Sequence, residues 1–200
     1  QGSNTALTSS TITLSPTIGV SGNALTVVRS KLTLSAIALG SASSRTRGAN
    51  DNLATLNFVA DSADPVSINT VTLTLQGSAV SIGTTVTVKL IDSSGNDWQN
   101  GSAQTCITGT QNSCSVAFTY TGADIKTISA DATESVKVQV NSSAFYDAAN
   151  SSDSLSVFIN MASSSAVAGS GVNWGDGSTT NGLNLEGSVV PVTINDVSFD

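Results

Sequence analysis

Two cysteines are the residues of this chain best spaced to react with each other. Cys106 and Cys114 lie in the segment CITGTQNSC, and the chain has no other cysteine. An even number of closely spaced cysteines, in an acidic chain rich in Ser and Thr, favours a disulfide and an oxidising compartment. A CxxC pair would indicate redox chemistry, but this spacing is too long for it. We therefore predict a Cys106–Cys114 disulfide; the alternative is two reduced thiols in a cytosolic loop.

Groups that could act in catalysis are scarce. The chain has no histidine, so neither a Ser-His-Asp nor a Cys-His arrangement can be built. Its only glutamates are Glu134 and Glu186. The aspartates lie in turn-like segments without the aromatic residues that usually hold a sugar beside two catalytic carboxylates. We predict that the chain is not an enzyme, has no catalytic residue and uses no cofactor.

Oxygen-rich loops are the candidate metal ligands. Calcium prefers six to eight oxygens from carboxylates, amides and carbonyls. Three loops offer such groups: Asp92, Asn96 and Asp97; Asp147, Asn150 and Asp153; Asn173, Asp176 and Asn181. None matches an EF-hand, and Asx turns that close hairpins explain the same residues. We predict no metal site.

Modification by glycans has three candidate acceptors. Sequons of the type N-x-S/T occur at Asn100, Asn141 and Asn150, all in turn-like segments. Such positions are accessible in a secreted protein of an organism that glycosylates asparagine. In a chain rich in Ser and Asn, several sequons also arise by chance, so the two interpretations stay open.

The charge and the apolar runs exclude two classes of partner. The chain has 200 residues with 7 basic and 14 acidic side chains, a net charge of -7, and no basic cluster. A nucleic-acid backbone requires clustered Lys and Arg, so we predict no nucleic-acid partner. The longest apolar runs fall far short of the roughly 20 residues of a spanning helix, so we predict no membrane span.

The elements that must position these residues are strands. Apolar residues recur at every second position, which is the pattern of a strand with one buried face. The clearest segments are 12–20, 56–60, 71–75, 86–90, 116–120, 136–140, 155–161 and 190–194. Turn-forming residues separate them. We predict an all-β protein: an Ig-like Greek-key β-sandwich of about nine or ten strands with an extended N-terminal strand.

One predicted strand changes its buried face part-way. In 66–75, the apolar positions pass from Val66 and Ile68 to Val71 and Leu73. Such a shift indicates a bulge, a bend or a switch between sheets.

The N-terminal region is a candidate for strand exchange. Ile12, Leu14, Pro16, Ile18 and Val20 form the cleanest alternation in the chain. An apolar-alternating strand can complete the sheet of another molecule, contributing ladder hydrogen bonds and buried side chains together. We predict an arm over residues 1–22 and a sandwich domain over 23–200. Whether the arm pairs with a second copy or with its own domain stays open.

Two tryptophans could serve as a ligand platform or as a plug. Trp98 and Trp174 both lie in turn regions. An exposed Trp can stack on a sugar, whereas a Trp beside a Gly-rich loop more often closes the end of a sandwich. We favour the plug.

Several segments resemble known surface proteins. The alternating Ser/Thr-rich strands, the absence of His and the apolar arm resemble β-sandwich subunits of prokaryotic extracellular fibres. The segments VVRSKLTLS (27–35), LNFVADSADPVSINTVTLTL (56–75), VKLIDSSG (88–95) and NWGDGS (173–178) are similar to Ig-like modules of bacterial surface proteins. In those modules a Tyr stands in the turn where this chain has Ile91, and no LPxTG anchoring motif occurs here.

The resemblance implies a structural role at the cell surface. We expect an extracellular subunit of a filament or surface coat that assembles head to tail with copies of itself. The alternative is a cell-surface adhesin or a carbohydrate-binding module that does not polymerise. Glycans are a further expected partner in either case.

Overall fold

Extended chain makes up nearly all the regular structure. The computed structural model describes residues 28–38, 47–78, 80–83, 85–98, 103–107, 112–143, 145–147, 154–159, 171–177, 181–184 and 190–195. Within these ranges, the helical structure consists of one 3-10 turn, Gly122–Asp124. The many Thr and Val residues favour this outcome because β-branched side chains fit a pleated surface.

The strands form two main antiparallel sheets. The five-stranded sheet contains β1 (Leu32–Ala38), β2 (Asp51–Ala60), β5 (Thr85–Ile91), β6 (Gln104–Ile107) and β9 (Thr133–Val140). The seven-stranded sheet contains β3 (Val66–Ser78), β7 (Ser113–Thr119), β8 (Lys126–Ile128), β11 (Ser154–Ile159), β12 (Val172–Gly175), β13 (Asn181–Asn184) and β14 (Val190–Asn195). A small separate ladder joins β4 (Val80–Ser81) to β10 (Tyr146–Asp147).

The order of the strands is that of an immunoglobulin-like sandwich. One sheet runs β1-β2-β9-β5-β6, and the other contains the neighbours β3-β11-β14. An immunoglobulin sandwich places its first, second, fifth and fourth strands in one sheet and its third, sixth and seventh in the other. The predicted all-β sandwich is confirmed. The described part contains fourteen strands rather than nine or ten, because it includes six short strands of two to four residues.

The core lies between the inner faces of the two sheets. Alternate residues of each long strand are buried, and their neighbours face outward. The fully or almost fully buried residues include Leu32, Leu56, Phe58, Ile68, Val71, Leu73, Leu75, Val86, Val88, Leu90, Phe118, Val136, Val138, Leu155 and Val157. The two-residue alternation seen in the sequence therefore corresponds to one buried face per strand.

The predicted shift within 66–75 is a β-bulge in β3. Val71 and Thr70 pair with Val172 and Asn173, but the next residue of β12, Trp174, pairs with Ile68. Asn69 is the extra residue, and its carbonyl accepts a hydrogen bond from the Tyr120 N–H at 2.8 Å. The bulge lets β3 keep apolar residues inside on both sides of Asn69.

Strand β3 has two successive partners along each of its sides. On one side the strand pairs with β8 before Asn69 and with β7 after it. On the other side it pairs with β12 along its first half and with β11 along its second half. The sheet therefore has seven strands but is only about four strands wide.

Gly77 should be the glycine of β3 that cannot be replaced. A Cβ atom there would collide with the Val80 carbonyl oxygen, which is backbone and cannot rotate away. We expect Gly77→Ala to lower the free energy of unfolding by about 1–3 kcal/mol, the usual cost of overpacking.

Urea unfolding measures this cost, and Gly48→Ala is the matched control because a Cβ at Gly48 has no atom within 4 Å. Equal stability of the Gly77→Ala and Gly48→Ala variants would contradict the close approach at Val80.

Candidate functional site: an open sheet edge

The first strand leaves one side without a partner among the described strands. β1 pairs with β2 over its whole length, from Leu32 opposite Ala60 to Ala38 opposite Ala54. The Asp61 N–H donates to the Lys31 carbonyl at 3.1 Å, which fixes the alternation of the ladder. The backbone groups of Thr33, Ser35 and Ile37 therefore face β2, and those of the even positions face away. We call the outward-facing N–H and C=O groups of Leu32, Leu34, Ala36 and Ala38 the β1 edge.

The core is incompletely covered beside this edge. Leu34 and Ala36 point inward and pack against the core, but they are only partly buried. Their register partners on β2, Phe58 and Leu56, are 0% and 2% exposed. On the outer face of β1, Ile37 is 57% exposed. The apolar surface thus continues to the rim of the sheet, which β14 of the facing sheet approaches. A strand added to the β1 ladder would cover the part of this surface that stays exposed.

A charged cluster fixes the chain just before β1. The Arg29 backbone N–H donates to Asp176 Oδ2 at 2.9 Å, and the Arg29 guanidinium pairs with Asp64. Ser30 donates its hydroxyl to Asp61 Oδ1 at 2.8 Å and is itself 1% exposed. We call these five residues the Arg29 cluster. It holds the segment entering β1 against the 61–64 and 176–177 loops.

The Arg29 cluster unites three of the segments that carry the resemblance to surface modules. Arg29 and Ser30 belong to VVRSKLTLS, Asp61 and Asp64 to the ADSADP part of the second segment, and Asp176 to NWGDGS. The sequence alone did not predict that these segments meet at one place in the fold. In the sequence each segment contains a charged residue near a turn, and such a residue alone does not indicate which other residue it contacts.

Two carboxylates of this end of the sandwich have shifted pKa values of opposite sign. The Ala63 N–H and the Ser30 hydroxyl donate to the Asp61 carboxylate, and these bonds lower its pKa. Burial raises the pKa of Glu134, and the negative charge of Asp92 adds to the increase. Asp61 is thus favoured as a carboxylate by the fold, whereas ionised Glu134 is disfavoured.

Both tryptophans are buried, as the plug requires, but Trp174 lies within β12 and not in a turn as predicted. Trp98 is 6% exposed and stacks on Phe58 with a centroid distance of 5.3 Å. It also contacts Tyr120 edge-on at 5.5 Å, and burial raises the pKa of that phenol. Trp174 is 5% exposed. An aromatic platform for a sugar would need these rings at the surface.

The strand-exchange residues Ile12, Leu14, Pro16, Ile18 and Val20 lie outside the described residues. Strand exchange by these residues, and the division into an arm over 1–22 and a domain over 23–200, therefore stay predictions.

The cysteine region links the two sheets through Cys114. This residue lies on β7 of the seven-stranded sheet, is 5% exposed and is disulfide-bonded. The other cysteine of the chain, Cys106, lies on β6 of the five-stranded sheet. A bond between them would join the sheets covalently.

Of the three sequons, Asn141 lies in the described part, directly after β9. It is exposed, its N–H donates to the Thr87 carbonyl at 3.0 Å, and its Oδ1 accepts from the Ser143 N–H at 3.1 Å. This Asx turn engages the side-chain oxygen of Asn141 and not the nitrogen to which a glycan would be attached. Asn100 and Asn150 lie outside the described residues.

The loop at Asp92 is an Asx turn. Asp92 Oδ1 accepts from the N–H groups of Ser94 at 2.9 Å and Asn96 at 2.8 Å. In the part of the chain that the structure describes, no group of three or more His, Cys, Asp or Glu side chains could hold a metal ion. The same part contains no helix with the length and apolar character that a membrane crossing requires.

Comparisons with known proteins add little. No family model matches the chain. No curated protein matches its sequence. A similar solved structure is that described as "AvmM Catalyzes Macrocyclization in Alchivemycin A Biosynthesis", with a TM-score of 0.39 and 8% identity over 84% of this chain and 89% of that one. A likeness at this level carries no argument about what the present chain does.

We expect Asp61→Asn and Glu134→Gln to change stability in opposite directions. Asp61, with its lowered pKa, stabilises the fold above its unfolded pKa, and this contribution is lost as the pH falls through its folded value. Glu134, with its raised pKa, costs stability above its folded value. At neutral pH the Asn variant should be less stable and the Gln variant more stable, each by less than about 1 kcal/mol because solvent screens both groups.

Urea unfolding between about pH 3 and pH 7 measures these effects. Asp131→Asn, which removes one surface charge, is the control. A common direction for all three variants would indicate a net-charge effect instead.

We expect the Cys106–Cys114 bond to account for about 2–3 kcal/mol of the free energy of unfolding, because it closes a loop of roughly nine residues in the unfolded chain. Replacing both cysteines by serine should lower the urea midpoint accordingly. Because folded Cys114 is only 5% exposed, thiols are titrated in the unfolded protein: the parent should show none and Cys106→Ser one. A titratable thiol in the unfolded parent would contradict the pairing.

Proposed function

We propose that the chain is a structural subunit of an extracellular filament or surface coat, and that its copies assemble head to tail by donor-strand complementation. The observation that supports this most directly is the β1 edge, where the partly buried Leu34 and Ala36 continue the core to a rim that has no hydrogen-bonded partner among the described strands. A sheet with such a rim gains both hydrogen bonds and apolar burial when a strand is added.

The segment 11–20 has the composition that such a strand needs. It alternates apolar and small polar residues and contains no charged side chain. Ten extended residues span roughly 33 Å, longer than the roughly 23 Å of a seven-residue strand. Pro16 suits a strand that keeps one side unpaired, since proline lacks the N–H group of the ladder.

A strand given to a neighbour produces a heterologous contact. The giving and receiving surfaces differ, so each subunit can receive one strand and give another. When the rotation between subunits does not close a ring, such contacts generate a filament. The partner of the chain in this proposal is therefore a second copy of itself.

The proposed compartment is the outside of the cell. A disulfide-bonded Cys114 suits an oxidising environment. The net charge of -7 favours solubility of the unassembled subunit. The proposal assigns the chain no catalytic role and no cofactor, and Asn141 is the described position where a glycan would be attached.

The alternative function, a non-polymerising adhesin or carbohydrate-binding module, has less support. Its expected platform was an exposed tryptophan, and both Trp98 and Trp174 are buried. Among the described large apolar residues, Val28, Ile37 and Tyr146 are exposed instead.

The alternation of the arm provides the test. Leu14→Asp combined with Ile18→Asp places two charges on the apolar side of the segment, where burial of unpaired carboxylates is costly. We expect at least a tenfold loss of filaments in negative-stain electron microscopy and a corresponding increase of monomer in sedimentation.

Thr13→Asp combined with Thr17→Asp is the matched control, because it adds the same charge on the alternate side. We expect this control to assemble nearly as well as the parent chain. Equal loss in both variants would point to a charge effect, and filaments from the Leu14/Ile18 variant would refute donation by this segment.

A further inference from the structure

We infer that the β1 edge, and not another edge of the sandwich, receives the segment 11–20 of a second copy. This inference rests on the proposed function and adds the identity of the receiving strand. The described strands offer several edges, and they differ in length, in the backbone groups they present and in how much apolar surface remains to be covered.

The strands β6, β8 and β13 are too short to receive ten residues. They contain 4, 3 and 4 residues, respectively. A ladder of three or four residues offers few hydrogen bonds, and short edge strands are a common way to prevent strand addition.

The β7 edge is long enough but already covered. It has seven residues and no charged side chain. Its inward residues Cys114, Val116 and Phe118 are 5%, 7% and 1% exposed. A strand added there would gain ladder bonds with little additional apolar burial.

The β14 edge is interrupted by a proline. Gly77 donates its N–H to the Asn112 carbonyl beside β7, so the odd-numbered residues of β3 bond toward β7 and the even-numbered ones toward β11. The even-numbered residues of β11 lie opposite the even-numbered ones of β3 and bond to them, which leaves the odd-numbered residues of β11 to bond to β14. Val157 is thus hydrogen-bonded to β14, and Pro191, opposite Phe158, has its nitrogen on the outer side. The outward-facing N–H groups of β14 are therefore interrupted at Pro191, which makes that edge less able to pair with an added strand.

The β1 edge has none of these three obstacles, although β14 of the facing sheet approaches β1 closely. It is seven residues long, and the sequence LTLSAIA contains neither a charge nor a proline. Its outward N–H groups include those of Leu34 and Ala36, the same residues whose side chains are only partly buried. An added strand with apolar residues on its inner side would complete both the ladder and the cover of the core.

The Arg29 cluster anchors the start of this edge before any strand arrives. Arg29 and Ser30 are bound to Asp61, Asp64 and Asp176 immediately before β1 begins. A preorganised edge loses less conformational entropy when it binds than a mobile one does.

Crosslinking from Ile37 identifies the occupant of the edge. Ile37 is 57% exposed, so a photoreactive benzoylphenylalanine fits there without disturbing the core. Trypsin releases residues 1–29 as one peptide, because Arg29 is the first basic residue. In filaments assembled from equal amounts of ¹⁴N- and ¹⁵N-labelled chains, we expect residues 32–45 to be joined to peptide 1–29. About half of these products should combine the two isotopes.

Products in which both peptides always carry the same isotope would show that the segment pairs with its own domain, and they would overturn the inference. A crosslink to any peptide other than 1–29 would overturn it as well.

A proline at position 36 removes one donor from the edge. Because the Ala36 N–H faces away from β2, Ala36→Pro should retain the β1–β2 ladder and lose a bond to the incoming strand. We expect at least a tenfold loss of filaments with an unchanged tryptophan emission spectrum of the monomer. Ala36→Val, which keeps the N–H group, should assemble like the parent chain.

These variants separate the inference from the proposed function. If the Leu14/Ile18 charge variant fails to assemble but Ala36→Pro assembles normally, donation by the arm stands and the choice of edge is wrong. If both assemble, both ideas fail. If Ala36→Pro does not fold, the crosslink from Ile37 still decides the choice of edge.

Discussion

Burial between two sheets is the interaction on which the rest of this structure depends. Each long strand contributes alternate apolar residues to one shared core, and the backbone of each strand is satisfied by its neighbours. Apolar burial and backbone hydrogen bonding are both complete in the middle of a sheet and incomplete at its rim. Phe58 and Leu56 on β2 are closed off from solvent, whereas Leu34 and Ala36 on the next strand outward are only partly covered. The capacity of the rim to accept another strand follows from this decrease in burial toward the edge of the sheet.

A sequence can reveal alternation because side chains on a strand switch faces at every residue. That is why the buried faces of segments such as 71–75, 86–90 and 136–140 could be predicted without coordinates. The bulge at Asn69 was also readable, since the apolar positions move from even to odd across it. The closing role of Trp98 followed from its place beside a turn, although its stacking on Phe58 did not.

The pairing of strands could not be read in the same way, because alternation says nothing about which strand lies beside which. Arg29 pairs with Asp64 and Asp176, 35 and 147 residues away, and Ser30 bonds to Asp61, 31 residues away. No local sequence pattern connects residues so far apart. The edge character of β1 is likewise a property of the sheet, not of the segment LTLSAIA. The two successive partners on each side of β3 escaped prediction for the same reason. Short strands such as β8 and β12 made the predicted strand count too low.

The continuity of β3 has a mechanical consequence. Its 13 residues extend for about 43 Å and bind shorter strands end to end along both sides. A pulling force parallel to β3 loads the hydrogen bonds of each ladder in shear, so that the bonds of a ladder must fail together. A force perpendicular to β3 would open the same bonds one after another. The module is therefore strongest along the direction of its longest strand.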